Sequence, residues 1–114
     1  MKMFKNNLNI EMTKGDTLSF GIKIANIGQE IDSAFFTVKN NFDDSIPIFQ
    51  KALGNGIEFD HINGEDYYYT VRIAPSDTEN LEPKNYIYDL EINVNDDTFT
   101  LLKGILNVSY DISN

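Results

Sequence analysis

The chain lacks cysteine and tryptophan altogether and has one histidine, His61, and one arginine, Arg72. Without cysteine there is no disulfide, no thiolate metal ligand and no cysteine nucleophile. A single histidine leaves too few ligands for the usual zinc sites. The lack of disulfides fits synthesis in a reducing compartment. A chain of 114 residues needs no such crosslink, because it buries roughly two-thirds of the surface that its unfolded form exposes.

Long apolar runs are also missing. No run approaches the roughly 20 apolar residues that cross a bilayer. The lysines of the first residues, Met1-Lys2-Met3-Phe4-Lys5, are not followed by the apolar stretch of a signal peptide. We therefore expect neither a membrane partner nor export by a signal peptide.

Positive charge is scarce, and it is unevenly distributed. Residues 1–57 contain six basic and six acidic side chains, whereas residues 58–114 contain three basic and twelve acidic ones and carry the whole net charge of −9. A surface of this sign repels polyphosphate. Nucleic acid is therefore not an expected partner, although a basic protein surface is compatible with this charge.

The sequence offers no recognisable set of catalytic or ligand-binding residues. His61 is adjacent to Asp60 near a predicted turn, and a histidine alone does not define a catalytic triad. The pairs Asp43-Asp44 and Asp96-Asp97 do not follow the calcium-loop pattern and lie where turns favour aspartate. Gly54-Asn55-Gly56 lacks the lysine and hydroxyl residue of a phosphate loop. We expect no enzyme activity, no catalytic residues, no cofactor and no metal.

Alternating apolar and polar residues dominate from end to end, a period that is typical of strands. About eight or nine short strands separated by turn residues predict an all-β, antiparallel β-sandwich. We expect a single domain over residues 1–114, with frayed ends at residues 1–7 and 113–114. One example of the alternation is the segment with Tyr86, Tyr88, Leu90, Ile92 and Val94 on one side.

Two hairpins allow a prediction of register. For the loop around residues 62–65, a two-residue Asn63-Gly64 turn would place Phe59 opposite Tyr68, and a three-residue loop through Glu65 would place it opposite Tyr69. The second option keeps apolar side chains on one face, so we favour it, with a bulge. A two-residue Asn95-Asp96 turn would pair Ile92 with Phe99 and Leu90 with Leu101, and a bulge near Gly104 would then exchange the faces, leaving Tyr110 and Ile112 inward.

Two irregular segments interrupt the strands. Ser76 and Glu79 have the spacing of a capping box, which predicts one short helical turn near residues 76–81. Pro47 lacks a backbone donor, which predicts an edge strand over residues 46–51.

Four residues are candidates for partner contact: Pro47, Phe49, Phe35 and Tyr68. Phe35 and Phe49 fall outside the inward sets of their strands and would form an apolar patch if exposed. Alternation places Tyr68 outward between two inward tyrosines. An exposed tyrosine can contact a sugar or a protein, so a carbohydrate- or protein-binding module that uses exposed aromatics is the alternative function.

The order of several short motifs resembles that of small structural proteins of tailed bacteriophages and prophages. The matching segments are Lys14-Gly15-Asp16-Thr17, Ala34–Lys39, the set Ile73, Asp77, Thr78 and Leu81, the strand Tyr86–Glu91, and the set Thr98, Gly104, Leu106 and Val108. The resemblance spans about residues 8–112.

The resemblance implies an immunoglobulin-like β-sandwich that serves as a virion building block, similar to neck, tail or upper-baseplate domains. It implies a protein made in the cytoplasm of a bacterial host and then located in the virion. The partners would be other virion or tail proteins or further copies of the chain, contacted through sheet faces and edges.

Overall fold

A computed structural model describes the backbone of residues 6–110 and the side chains of residues 8–110. Nine strands and one short helix make up this part of the chain, so the predicted all-β character is confirmed. The strands are β1 (Asn6–Asn7), β2 (Ile10–Thr13), β3 (Leu18–Ile24), β4 (Ser33–Lys39), β5 (Phe49–Leu53), β6 (Gly56–Asn63), β7 (Asp66–Ile73), β8 (Lys84–Val94) and β9 (Asp97–Ser109), and the helix α1 is Pro75–Thr78.

The strands form one sheet that folds over itself into a nearly closed sandwich. Their order is β1-β9-β8-β4-β5-β6-β7-β3, with β2 also paired to β9. Only two residue pairs join β5 to β6, and the sheet folds near this junction. Phe20 of β3 and Phe36 of β4 are not in neighbouring strands, yet their ring centroids lie 5.8 Å apart. The two halves of the sheet therefore face each other across a common core.

Most pairings among the described residues are antiparallel, and three are parallel. The parallel pairs join β1 and β2 to β9 and β5 to β6. The first two arise because β1 and β2 run along the edge of β9 that does not pair with β8. Asn6 and Asn7 are thus paired although we predicted frayed ends at residues 1–7 and 113–114; residues 1–5 and 111–114 lie outside the described part.

The predicted alternation correctly identifies the core. Inward side chains of β4 and β8 are at most 4% exposed, as are Ile57, Tyr69, Val71, Leu106 and Val108 from the other strands. Burial of one such large apolar side chain contributes roughly 1.5–3 kcal/mol. Tyr110, predicted inward, is instead exposed, and Ile112 lies beyond the described residues.

The connection between β7 and β8 contains the helix and two side chains that anchor it. The predicted helical turn near residues 76–81 is present, but it begins one residue earlier and ends three residues earlier, at Pro75–Thr78. Ser76 does not cap it; the Asp77 carboxylate accepts the Ala74 N–H at 2.7 Å. Tyr86, at the start of β8, donates its hydroxyl to the Glu82 carbonyl at 2.6 Å. Thr78 accepts a hydrogen bond from the Gly15 N–H at 2.9 Å, which ties the connection to the turn before β3.

The segment Leu8-Asn9, between β1 and β2, crosses directly over Gly104 of β9. The Leu8 N–H donates to the Lys103 carbonyl at 3.0 Å, and the Ile105 N–H donates to the Asn9 side chain at 3.2 Å. The buried Tyr88 donates its hydroxyl to the Leu8 carbonyl. These bonds fix the N-terminal strands against the sandwich.

Burial of Tyr88 predicts an alkaline loss of stability. Desolvation raises the pKa of Tyr88 from 10.0 to about 12, because a phenolate is costly to form in the core. Above pH 10 the unfolded chain holds fewer protons than the folded one, so the free energy of unfolding falls as pH rises from 10 to 12. Two pKa units correspond to up to about 2.7 kcal/mol.

Urea unfolding at a series of pH values measures this loss. Tyr88→Phe lowers stability at neutral pH, because it leaves the Leu8 carbonyl without its donor, but it flattens the fall above pH 10. An equally steep fall in wild type and Tyr88→Phe would show that other groups cause it.

Candidate functional site

Two exposed apolar surfaces stand out on the molecule, and the first is a groove on the outer face of β4, β8 and β9. Its volume is about 440 Å³. Two cross-strand rows form its floor, because side chains that share a register position point to the same face. We call this surface the outer groove; the rows are Thr37–Asp89–Lys103 and Lys39–Ile87–Ile105.

Phe42 forms the rim of the outer groove. It lies in the connection between β4 and β5, which is turned by a hydrogen bond from the Asp44 N–H to the Asn41 carbonyl at 3.1 Å. The Phe42 side chain is 85% exposed, and together with Ile87 and Ile105 it makes the groove apolar. Contiguous apolar side chains at the surface, such as Phe42, Ile87 and Ile105, are typical of a contact surface.

The outer groove also contains three charged side chains. Lys39 and Lys103 flank Asp89 among its lining residues. Desolvation raises the pKa of Asp89, and nearby Lys39 partly opposes this rise. Neither lysine has an ion-pair partner among residues 8–110. The groove therefore carries a net charge of +1 on a protein whose net charge is −9.

The second surface lies on the hairpin of β6 and β7. Ile57 is fully buried, but every residue from Glu58 to Glu65 is exposed, so the hairpin extends past the core. On one face Phe59 and Ile62 lie beside Tyr67, with the Phe59 and Tyr67 ring centroids 6.2 Å apart. We call the exposed Phe59 and Ile62 together with the half-buried Tyr67 the hairpin patch.

A β-bulge aligns the hairpin patch. Phe59 pairs with Tyr69, and Ile62 pairs with Tyr67, with the register shift between Phe59 and His61. Asp60 is the extra residue, and one extra residue restores the same face after it. Without the bulge, Phe59 and Ile62 would point to opposite faces.

The other face of the hairpin is polar, and it holds the predicted contact residue Tyr68. His61 stacks on the Tyr68 ring, with the centroids 4.2 Å apart and the planes 8° apart. Asp60 lies 3.1 Å from the His61 ring nitrogen Nδ1. One ring face of Tyr68 is thus covered by the chain itself, which leaves less of the tyrosine for a sugar.

The loop between β3 and β4 braces the hairpin end. The Asn26 N–H donates to the Asp66 carboxylate at 2.8 Å, and the Gly28 N–H donates to the Glu65 carbonyl at 3.0 Å. Asp66 also forms an ion pair with Lys23 at 3.5 Å. The hairpin patch is therefore held in a defined position.

The fold separates Phe49 from the other two predicted contact residues, Phe35 and Pro47. Phe49 packs against the core, because it pairs with the buried Val38 and shares its inward face. Phe35 and Pro47 are half-buried and line a shallow depression of about 260 Å³ beside the outer groove. The predicted edge strand over residues 46–51 is instead β5, which begins at Phe49 and lies between β4 and β6.

Phe42, Ile62 and Ile105 are surface residues that the sequence did not single out. Phe42 lies in a polar loop, and a single exposed apolar residue there is not informative until the fold places it beside Ile87 and Ile105. Ile105 alternates with the inward Leu106, and this alternation is the signal that indicates an outward isoleucine. The contribution of Ile62 depends on the bulge, which the sequence does not locate.

Within residues 8–110 no group of three or more metal-ligating side chains comes together. The only helix described has four residues, and no helix in this part of the chain is long and apolar enough to cross a membrane. No family model matches the chain, and a comparison with curated proteins finds no match.

Proposed function

We propose that the protein is a non-enzymatic structural or assembly protein of a tailed bacteriophage or prophage and acts through protein–protein contacts. The observation that carries this proposal is the pair of exposed apolar surfaces, one concave and one projecting, on a domain without a cluster of reactive groups in the described residues. Apolar surfaces of this kind favour protein contact. The virion location comes from the motif resemblance.

The strand arrangement supports an immunoglobulin-like fold. In that fold strands A, B, E and D form one sheet, and strands C, F and G, with C′ in some members, form the other. Here β6-β7-β3 faces the sheet of β9-β8-β4-β5, which corresponds to the order D-E-B and G-F-C-C′. Immunoglobulin-like domains also carry a tyrosine at the start of strand F whose hydroxyl bonds a backbone group a few residues upstream. Tyr86 and the Glu82 carbonyl have this relation.

The aromatic core supports the same assignment. Antibody domains place a tryptophan of strand C against a disulfide between strands B and F. This chain lacks both, and Phe36 of β4 packs between Phe20 of β3 and Tyr88 of β8, at centroid distances of 5.8 and 5.2 Å. Aromatic packing thus occupies the position that the disulfide has in antibody domains.

Two of the motifs that carry the resemblance contact each other in the structure. Gly15 and Thr78, from two different motifs, share a hydrogen bond across 63 residues. Asp77 caps the helix and Gly104 lies under the N-terminal segment. These residues specify the fold, so the resemblance supports a shared architecture, and the contact surfaces lie on other residues.

Particle purification tests the virion location. Phage particles induced from the bacterial strain that carries the gene are banded in a density gradient, washed with high salt and analysed by mass spectrometry. We expect the chain to band with the particles at a fixed ratio to the known tail proteins, with an abundant cytosolic protein of the host as control. A chain that stays with the cytosolic control would contradict the proposal.

A further inference from the structure

We infer that the hairpin patch of one copy docks into the outer groove of a second copy, so that the chain assembles head to tail. This inference deepens the proposed function and rests on it. It names the partner, a second copy of this chain, and the two surfaces that meet.

Shape is the first argument. The outer groove is concave, with a volume of about 440 Å³, whereas the hairpin extends past the core and presents Ile62 at 49% exposure near its end. The loop from Asn26 to Gly28 holds the hairpin, so docking requires little ordering of the backbone. Preorganised surfaces lose less entropy when they bind.

Charge is the second argument. The hairpin segment from residue 58 to residue 66 contains four acidic residues and neither lysine nor arginine; within residues 8–110, only Asp66 among the four pairs with a lysine, Lys23. The outer groove has two lysines and one aspartate and is positive, on a protein that is otherwise strongly acidic. Complementary charge of this kind orients partners and raises the association rate. It disfavours a groove-to-groove or hairpin-to-hairpin contact, because either would oppose like charges.

The two surfaces are different parts of the molecule, so the contact is heterologous. Each bound copy keeps one free hairpin patch and one free groove, and such contacts continue into rings or filaments.

Sedimentation velocity over a range of concentrations, with matched variants, tests the inference. Wild type should grow beyond a dimer as concentration rises, and added salt should weaken the association. Ile62→Asp damages the patch and Ile105→Asp damages the groove; each should raise the dissociation constant by about 100-fold, the size of a hot-spot loss. Both side chains are exposed, and circular dichroism verifies that the variants fold.

Ile46→Asp is the control, because Ile46 is 78% exposed and belongs to neither surface. It should assemble like wild type. The decisive sample is an equimolar mixture of Ile62→Asp and Ile105→Asp, in which one variant has an intact groove and the other an intact patch. This mixture should form a dimer that grows no further, although each variant alone stays monomeric.

Three results would overturn the inference: a wild type that is monomeric at every concentration, a mixture that does not dimerise, or an Ile46→Asp variant that is as defective as the other two. A chain that is monomeric yet present in particles overturns this inference and leaves the proposed function standing. Absence from particles overturns the proposed function, whatever the mass in solution.

Discussion

Gly104→Ala is expected to lower the free energy of unfolding by about 3 kcal/mol and to loosen the N-terminal strands. A Cβ atom at residue 104 would overlap the Leu8 carbonyl oxygen and lie 2.9 Å from the carbonyl carbon. Both are backbone atoms, which cannot rotate out of the way. Forcing extra atoms into a packed site costs roughly 1–3 kcal/mol, and separating Leu8 from the Tyr88 hydroxyl adds about 1 kcal/mol.

The alternative to this overlap is that the N-terminal strands detach from β9. Ile10 and Met12 of β2 would then leave the core, where they are buried. Exposing two such side chains costs roughly 3–6 kcal/mol. Detachment is therefore no easier than the overlap, and both routes give a loss of similar size.

Gly21→Ala is the matched control for Gly104→Ala. Gly21 is also inside a strand, but the nearest atom to an added Cβ is the Tyr69 carbonyl oxygen at 3.9 Å, an ordinary contact. Thermal and urea unfolding should show a change of less than about 1 kcal/mol for Gly21→Ala. Hydrogen exchange of the Ile10 to Thr13 amides should become faster in Gly104→Ala. Equal stability of the two variants would refute the close-approach argument.

The role of Gly104 also explains why the position of the β8–β9 bulge could not be predicted from the sequence. The Asn95-Asp96 turn is confirmed, with φ values of 52° and 66°, and Ile92 pairs with Phe99 as predicted. The bulge lies at Leu101 and not near Gly104, so Leu90 pairs with Leu102. The glycine serves a contact with residue 8, and local patterning cannot reveal so distant a neighbour.

In the β6–β7 hairpin the predicted pairing of Phe59 is correct, although the predicted loop is wrong. Phe59 does pair with Tyr69, because burial of one face fixes the register. The loop, however, is the two-residue turn Gly64-Glu65, and Asp60 supplies the bulge. One extra residue in the loop and one extra residue in a bulge both shift the pairing of Phe59 by one position. The alternation of the sequence therefore cannot distinguish them.

The candidate site was less predictable than the core. A five-residue strand such as β5 has too few alternating residues to show which of them point inward, so the sequence pattern places Phe49 on the wrong face. The outer groove depends on side chains of three strands and on the position of the loop that holds Phe42. Tyr68 was correctly placed on the face opposite its two neighbours, but its stacking on His61 depends on the bulge.

Asp77→Ala is expected to destabilise the protein by about 3 kcal/mol. The Asp77 carboxylate lies 2.6 Å from the Lys51 ammonium of β5, and both side chains are only 14% exposed. The same carboxylate accepts the Ala74 N–H. Its removal leaves a largely buried ammonium without a partner, and breaking a buried pair from one side costs roughly 3–5 kcal/mol. Because Lys51 and Asp77 keep some contact with solvent, we expect a loss at the lower end of this range.

Asp66→Ala provides a close control for Asp77→Ala. Asp66 also accepts one backbone N–H, from Asn26, and pairs with one lysine, Lys23. Its pair is longer, at 3.5 Å, and more exposed, with Lys23 at 53% and Asp66 at 25%. Solvent screens such a pair, which contributes about 0–1 kcal/mol. Asp66→Ala should therefore cost about 1 kcal/mol once the lost hydrogen bond is included.

The double variant Lys51→Met/Asp77→Asn separates charge pairing from packing. The methionine preserves most of the apolar stem that Lys51 lays over Gly56, and no unpaired charge remains. A buried pair replaced on both sides loses less than a pair broken on one side. Urea unfolding should therefore show that the double variant is more stable than Asp77→Ala. If Asp77→Ala instead costs no more than Asp66→Ala, the Lys51–Asp77 pair does not hold the β7–β8 connection to β5.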